Sequence, residues 1–493
     1  MIKGSVKGVF WLFLSKFFPP IINFSVFAYT ARILAPEDFG LVAMALAIIF
    51  IASSFMPSGW RDSIIKYQIE DKLTISSIFW LNLAVSLLIS AIIIGFSFFS
   101  FFEFQTRTFN LALTIFCLKL IFDGLFYTLN IVLLKQQLYS LIALRTIFSA
   151  VISAAIIIGL LLLDFGVWAL IWAQAILSIA NFFAVYLPTR KLVTFQFSFA
   201  SIVQLNNFAA YSTLTNGVTS ILDHYESVII GAVLGKRELG FYNVAKRFSN
   251  IISDIFIGTV SEISFPLLAK KQEEMIEFRK AFMNSVYFSV LILFPLFTFC
   301  FINSEKIFLL LFTEKWLNAS VAFQAFCIIF AFIILGIPQK NVIVLSNHAK
   351  WWFQLQVKLS FIIVPLTAAS AFLGLNALLI MLILGKCLYC SLSLWKSCQI
   401  LSLDVKKYIV SFIVPLICCI VTAITTSLIT QFIPPLKFIL VDITISATIF
   451  FIIYLTQMFL FDRKKIVSIG LVLLPNNQHL NKLAKNINNQ ELH

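Results

Sequence analysis

What this chain has least of is charge. Of its 493 residues 12% are charged and 60% are hydrophobic. The mean hydropathy is +0.98. A soluble domain of this length needs a solvated shell that so little charge cannot supply. Acidic residues are the scarcer sign, 22 against 36 basic ones, which leaves a formal charge of +14. That excess does not point to nucleic acid, because the cations sit in short segments between apolar runs, where membrane topology places them. Histidine occurs four times, with no metal-ligand spacing. There is no P-loop, no GxSxG and no HExxH. ATP hydrolysis in this chain, a metal site and the common nucleophile motifs are therefore excluded, and neither a cofactor nor enzyme activity is expected. Short alternating strands of the kind that build a membrane barrel are also missing. Eight cysteines lie in or beside apolar segments. Cys387 and Cys390 form a CxxC inside a span, with no second pair, and read as ordinary membrane-helix residues.

What is present is a series of apolar runs of membrane-spanning length. Fourteen are expected, near 9–31, 41–57, 78–102, 109–131, 147–163, 167–187, 208–232, 248–268, 284–302, 321–338, 359–375, 377–395, 408–430 and 438–460. The even number puts both termini on one side. With the termini cytoplasmic, the inner segments hold 22 cations before the far tail and the outer loops hold nine, as the positive-inside rule requires. The first run is too long for a signal-peptide core and lacks a small-residue cleavage site, so the N-terminus is expected to be retained.

One short pattern occurs twice, two hundred residues apart. Leu34-Ala35-Pro36-Glu37-Asp38-Phe39-Gly40-Leu41-Val42-Ala43-Met44-Ala45 is matched by Leu234-Gly235-Lys236-Arg237-Glu238-Leu239-Gly240-Phe241-Tyr242-Asn243-Val244-Ala245. Each copy is a polar turn between two apolar runs, and each joins an odd span to the next even one. Six spans separate the copies. That predicts two parallel six-helix repeats related by an axis along the membrane normal. The expected division is an N-terminal lobe at 1–190, a C-terminal lobe at 191–400, two added spans at 401–461 and a polar cytoplasmic tail at 462–493.

Ionisable groups at bilayer depth are costly, about 2.5–3.5 kcal/mol on insertion scales, and so are functional candidates. Lys16 stands in the first span before Pro19-Pro20, with no close sequence partner. Lys119 and Asp123 lie one turn apart in the fourth, where they either neutralise each other or line a cavity. Asp223 and Glu226 share a face of the seventh, an arrangement that raises one carboxyl's pKa and suits proton carriage. Pairing with Arg247 or another cation is the alternative. Lys386 in the twelfth span either lines a cavity or snorkels to the interface. Asp442 reads as structural. Cations within a membrane cavity suit an anionic substrate such as a diphosphate.

Four stretches carry a resemblance. Ala31-Arg32-Ile33-Leu34-Ala35-Pro36-Glu37-Asp38-Phe39-Gly40 resembles the R-x-L-x-P-x-D-[FY]-G turn after the first helix of bacterial oligosaccharide flippases. Ile78-Phe79-Trp80-Leu81-Asn82-Leu83 resembles the start of their third helix. Leu239-Gly240-Phe241-Tyr242-Asn243-Val244-Ala245-Lys246-Arg247 resembles their L-G-x-Y-x-x-A-x-R stretch, and Phe265-Pro266-Leu267-Leu268-Ala269 the end of their eighth helix. The chain thus resembles Wzx-type flippases of the multidrug/oligosaccharidyl-lipid/polysaccharide superfamily. The resemblance implies a MATE-like, two-lobed, all-α bundle of about fourteen spans in the bacterial inner membrane. It implies a flippase that carries polyprenyl-diphosphate-linked repeat units for O-antigen, capsule or exopolysaccharide to the periplasmic leaflet. The implied partners are the lipid-linked oligosaccharide, membrane lipid and a polysaccharide polymerase. Arg32 and Arg247 carry over as motif positions. With Lys16, Lys119 and Lys386 they form the expected cationic cavity, and Asp223, Glu226 and Asp123 are the expected coupling carboxylates. The competing readings are a multidrug exporter of the same fold and a membrane polymerase or ligase.

Overall fold

The computed structural model describes residues 2–97, 106–136, 138–432 and 438–463, and the side chains of 2–17, 139 and 256–263 lie outside that description. The described chain is helical throughout. The helices are α1 (Ile2–Ile33), α2 (Pro36–Ser53), α3 (Ser58–Lys66), α4 (Lys72–Ser97), α5 (Arg107–Lys135), α6 (Tyr139–Leu162), α7 (Val167–Thr189), α8 (Phe199–Val203) and α9 (Asn206–Ala269). They continue as α10 (Met275–Ile302), α11 (Ser304–Phe312), α12 (Ala319–Leu345), α13 (Ala349–Ala371), α14 (Leu375–Leu401), α15 (Val405–Phe432) and α16 (Ile439–Phe461). Each of the fourteen expected apolar segments overlaps a helix, with 98–102 of the third lying outside the described residues. Eleven helices within the described residues are long and apolar enough to cross a membrane. The remaining segments lie on α1 and on the two arms of α9, which part at Gly235. That residue has φ 85° and ψ 178°, a backbone that glycine adopts without strain.

Contacts divide the chain into two compact units. The first comprises 1–244 with 367–375, and the second 245–366 with 376–493. In the first unit α5 packs against α4 and α7, α1 against α6, and α2 and α3 against α5. Its core holds Phe79, Leu125, Phe126, Leu129, Leu133, Phe182 and Val185. In the second unit α10 packs against α12 and α15, and α15 against α16. Phe248, Phe308, Phe312 and Phe323 cluster there with ring centroids 5.0–6.0 Å apart. Asp442 pairs with Lys306 at 2.8 Å, in keeping with its structural reading. Asp462, which was expected to open the loose tail, is buried and accepts a 2.7 Å hydrogen bond from the Tyr287 hydroxyl. The rest of that tail, from 464, lies outside the described residues.

The two copies of the repeated pattern meet in the first unit. Pro36 starts α2 at a position where the missing N–H goes unmissed, and the Asp38 carboxylate accepts from the Ala35 N–H at 3.1 Å. The turn of α2 that follows crosses the start of the second arm of α9. A β-carbon on Gly40 would lie 1.7 Å from the Lys236 carbonyl oxygen, and one on Gly240 would lie 2.0 Å from the Pro36 carbonyl oxygen. These contacts pair Pro36 with Gly240 and Gly40 with Lys236, as a two-fold relation between the copies demands. Lipid tails supply no hydrophobic drive between helices, so close backbone approach at small residues holds such crossings.

From there α2 and α3 run antiparallel to the first arm of α9. The Phe50 ring stacks on His224 at 4.5 Å, and Ser220 donates to the Phe50 carbonyl at 3.0 Å. At the far end a β-carbon on Gly59 would lie 1.9 Å from the Ala209 carbonyl oxygen. Gly59 N–H donates to Thr213 Oγ1 at 2.8 Å. Asp62 accepts from Ser212 at 2.6 Å and from Asn216 at 3.0 Å. One seam therefore runs from Gly40–Gly240 to Asp62–Ser212.

Added volume at the crossing has nowhere to go. Gly40→Ala and Gly240→Ala are each expected to destabilise the protein by about 1–3 kcal/mol, the usual range for overpacking. Gly159→Ala, where nothing lies within 4 Å of the new methyl, is expected to be neutral or to stabilise slightly. Thermal unfolding in detergent checks this. Equal melting temperatures for the three variants would contradict the crossing.

Candidate functional site

A polar face on α5 lies beside this seam. Lys119, Asp123, Tyr127 and Asn130 recur at intervals of four, four and three residues, which puts them on one side of a helix that is otherwise apolar. Lys119 is buried. Its ammonium donates to Asp123 Oδ2 at 2.8 Å and to Ser178 Oγ on α7 at 3.3 Å, and it stands 5.9 Å from the Phe50 ring centroid. Below it the Arg61 guanidinium of α3 lies 5.2 Å from the Tyr127 ring centroid. Arg145 of α6 donates to Asn130 Oδ1 at 2.6 Å and lies 4.7 Å from the Phe126 ring centroid. Guanidinium against an aromatic face is a favourable way to hold a cation where water is scarce. Three cations and one carboxylate thus follow a single helix face.

Phe50 joins this face to the seam, since it contacts both Lys119 and His224. His224 stands between Asp223 and Tyr225 on α9, and one turn on from Asp223 the Glu226 carboxylate accepts a short hydrogen bond from the fully buried Tyr242. The Phe50 ring therefore connects Lys119 to His224 within the first unit, while Glu226 is held by Tyr242.

The expected site residues take the following places. Asp123 and Lys119 form an ion pair, with side-chain exposures of 24% and 11%. Glu226 is half-buried on Tyr242, and Asp223 is exposed. Arg32 closes α1 and is exposed, beside the turn that leads to Gly40. Arg247 is exposed on the second arm of α9, in the second unit. Lys386 sits in the second unit, and α14 spans Leu375–Leu401 around it. Lys386 is thus about 16 Å from the nearer helix end at a rise of 1.5 Å per residue, too deep to count as a helix-end lysine. The Lys16 side chain lies outside the described residues. Among the described residues no cluster of three metal-ligating side chains occurs, and all eight cysteines, Cys387 and Cys390 included, are free.

Arg61, Arg145 and Tyr127 were missed as site residues. The sequence counts Arg61 and Arg145 as inner-loop cations, which obscures their place on α3 and α6. The signal available was the spacing of Tyr127 and Asn130 behind Lys119 and Asp123.

Residues 30–321 match the model of a family described as polysaccharide biosynthesis protein. The chain is 25% identical over 324 residues to the succinoglycan biosynthesis transport protein ExoT of Rhizobium meliloti, covering 64% of each chain. It is 21% identical to the teichuronic acid biosynthesis protein TuaB of Bacillus subtilis, covering 70% of this chain and 72% of that one. It is also 21% identical to the lipopolysaccharide biosynthesis protein WzxC of Escherichia coli, covering 68% of each. The chain therefore spans just under two thirds of ExoT's length. Among solved structures, the inward closed conformation of the lipid II flippase MurJ gives a TM-score of 0.68 at 14% identity, covering 94% of this chain and 100% of that one. An inward-facing MATE multidrug transporter of the MOP superfamily gives 0.57 at 14% identity, covering 78% and 94%. These two likenesses show the fold, a helical bundle of the MurJ and MATE kind, as the sequence led one to expect.

The Lys119–Asp123 pair makes a prediction of its own. Lys119→Ala leaves a carboxylate with no counter-charge in apolar surroundings. It should cost about 1–3 kcal/mol, less than the 3–5 of a fully buried pair because Asp123 keeps some exposure. Lys119→Ala/Asp123→Ala should recover much of that loss in a thermal-unfolding assay. A double variant no more stable than the single one would show that the pair is not what orders this face.

Proposed function

This chain belongs to the polysaccharide biosynthesis protein family, and from that premise we propose that it is a flippase for lipid-linked oligosaccharide. The proposed cargo is a polyprenyl-diphosphate-linked repeat unit, carried from the cytoplasmic to the periplasmic leaflet of the inner membrane for surface polysaccharide assembly. No bond is made or broken in this reading, and no nucleic acid takes part. A polysaccharide polymerase on the periplasmic side is the proposed consumer of the product. Both termini are cytoplasmic and the fourteen helical segments all span.

The observation that carries the proposal is the polar face on α5 beside a seam built from the repeat. A diphosphate needs cations at depth, and Lys119 of α5, with Arg61 of α3 and Arg145 of α6, supplies them along one face of α5. Lys16, Arg32, Arg247 and Lys386 are the further proposed cationic contacts. Asp223, Glu226 and Asp123 are the proposed coupling carboxylates, and a shared proton between neighbouring carboxyls is the simplest carrier. The polyprenyl tail stays in lipid while the charged head moves.

Movement follows alternating access, with spans 1–6 rocking against 7–12. In the proposed topology the Gly40–Gly240 crossing lies at the periplasmic end of the seam and the Asp62–Ser212 contacts at the cytoplasmic end. One end parts while the other holds. The crossing suits this use because glycine backbones separate without uncovering a large apolar side chain. The lobes proposed to rock are 1–190 and 191–400, and α2 and α3 lie against the first arm of α9 in this conformation.

The test is the amount and sidedness of polyprenyl-diphosphate-linked glycan in a deletion strain. Complete repeat units accumulating on the cytoplasmic face, without surface polymer, are expected. Accumulation on the periplasmic face would instead indicate a polymerase or ligase, and unchanged glycan with lost drug resistance an exporter. In complemented cells Lys16→Ala and Lys119→Ala are expected to lower surface glycan at normal protein abundance. Asp223→Asn and Glu226→Gln are expected to remove the dependence of transport on the proton gradient. Wild-type behaviour of all four variants would refute these residue roles.

A further inference from the structure

We propose that the second unit carries its own binding site for the phosphorylated headgroup of an anionic lipid, built from Lys340, Lys386, Trp352 and Tyr389. These residues line a cavity of about 230 Å3 between α12, α13 and α14. Phe332 and Ile337 form its apolar wall on α12, at the helical spacing that puts both on the face of Lys340.

Three features mark it as a site for an anion. First, both lysines are exposed into the cavity, and neither has a hydrogen bond or an ion-pair partner among the described residues. Among the described residues, by contrast, Lys119 is matched by Asp123 and Lys306 by Asp442. Two unmatched ammonium groups facing one cavity repel each other until an anion joins them. Second, the Tyr389 hydroxyl is buried without a well-formed hydrogen bond, with Gln356 as its polar neighbour. A buried donor left in that condition is satisfied by an acceptor entering the cavity. Third, the walls are rigid. The Trp352 and Tyr389 rings meet edge-on at 5.1 Å. Behind them Gln339 donates to the Tyr408 hydroxyl at 3.0 Å and accepts from Ser393, which ties α12, α14 and α15 together next to both Lys340 and Tyr389.

Size and lining narrow the ligand. Pockets for drug-sized molecules run to about 300–1,000 Å3, so this one takes a headgroup and not an oligosaccharide. Aromatic and aliphatic walls beside paired cations fit a phosphate or diphosphate joined to an apolar chain. Two sources share that chemistry, the polyprenyl diphosphate of the cargo and a membrane phospholipid. The first rests on the transport reading given above; the site itself does not.

The test is native mass spectrometry of the intact protein in detergent, titrated separately with polyprenyl diphosphate and with phosphatidylglycerol. Lys340→Gln and Lys386→Gln are each expected to weaken polyprenyl diphosphate binding about tenfold, as loss of one charge-assisted contact does. The double variant should lose more, Lys→Arg at both positions should restore binding, and Lys350→Gln outside the cavity should change nothing. Loss confined to phosphatidylglycerol would keep the site and assign it to membrane lipid. Wild-type protein that binds phosphatidylglycerol through these lysines but no polyprenyl diphosphate would overturn the transport reading and leave the site standing. Unaltered binding of both lipids in the double variant would overturn the inference.

Discussion

Backbone contact at the Gly40–Gly240 crossing is the constraint on which the first unit depends. A bilayer gives helices no hydrophobic reason to associate, so specificity comes from shape at close range. With carbonyl oxygens where β-carbons would otherwise stand, α2 and the second arm of α9 have one register. That register aligns the whole seam. Phe50 then meets His224, and Gly59 meets Thr213. Asp62 reaches Ser212 and Asn216 across about 150 positions of chain. The two ends differ in kind. At the crossing the Glu37–Arg237 pair, 3.5 Å apart and largely exposed, adds little. At the other end Asp62 accepts two charge-assisted bonds, at 2.6 and 3.0 Å, the stronger kind. An unequal pair of closures on one seam is what a transporter opening one end at a time would need.

Charge at depth divides the molecule in a second way. Among the described side chains of the first unit, Lys119 is neutralised by Asp123, and Arg61 is sheltered by a tyrosine face and Arg145 by Asn130 and a phenylalanine. In the second, Lys306 is matched by Asp442, whereas Lys340 and Lys386 face open volume. A matched cation orders a helix face and is ready to exchange partners, whereas an unmatched one attracts an anion from outside.

Much of this was legible in the sequence, for a physical reason. Span positions follow from apolar runs long enough for a bilayer, so each expected segment overlaps a helix among the described residues. The repeat was legible because the crossing tolerates glycine alone at both copies. Lys119 and Asp123 were legible as a possible pair from their spacing, and the structure makes the pair. Arg61 and Asp62 were not. Ser58-Gly59-Trp60-Arg61-Asp62-Ser63 has the composition of a loop, yet it forms the helix α3, because its polar groups are met by Thr213, Ser212 and Asn216 far along the chain. Local pattern carries no record of such partners. Lys340 was hidden likewise, since five residues before the end of α12 it reads as an inner-loop cation, and its relation to Lys386 exists only once α12 and α14 pack. The role of His224 also turns on a distant ring, that of Phe50.

The account stands or falls on whether the crossing must part for cargo to pass. Glu37→Cys/Arg237→Cys places two thiols where side chains already approach, while seven of the eight native cysteines are buried. Joining the pair with a short thiol crosslinker in cells, with wild-type protein treated alongside, tests the point through delivery of lipid-linked glycan to the periplasmic leaflet. The account predicts that linked protein stops transport and that a reductively cleavable linker restores it once cleaved. Linked protein that transports at the unlinked rate would contradict it.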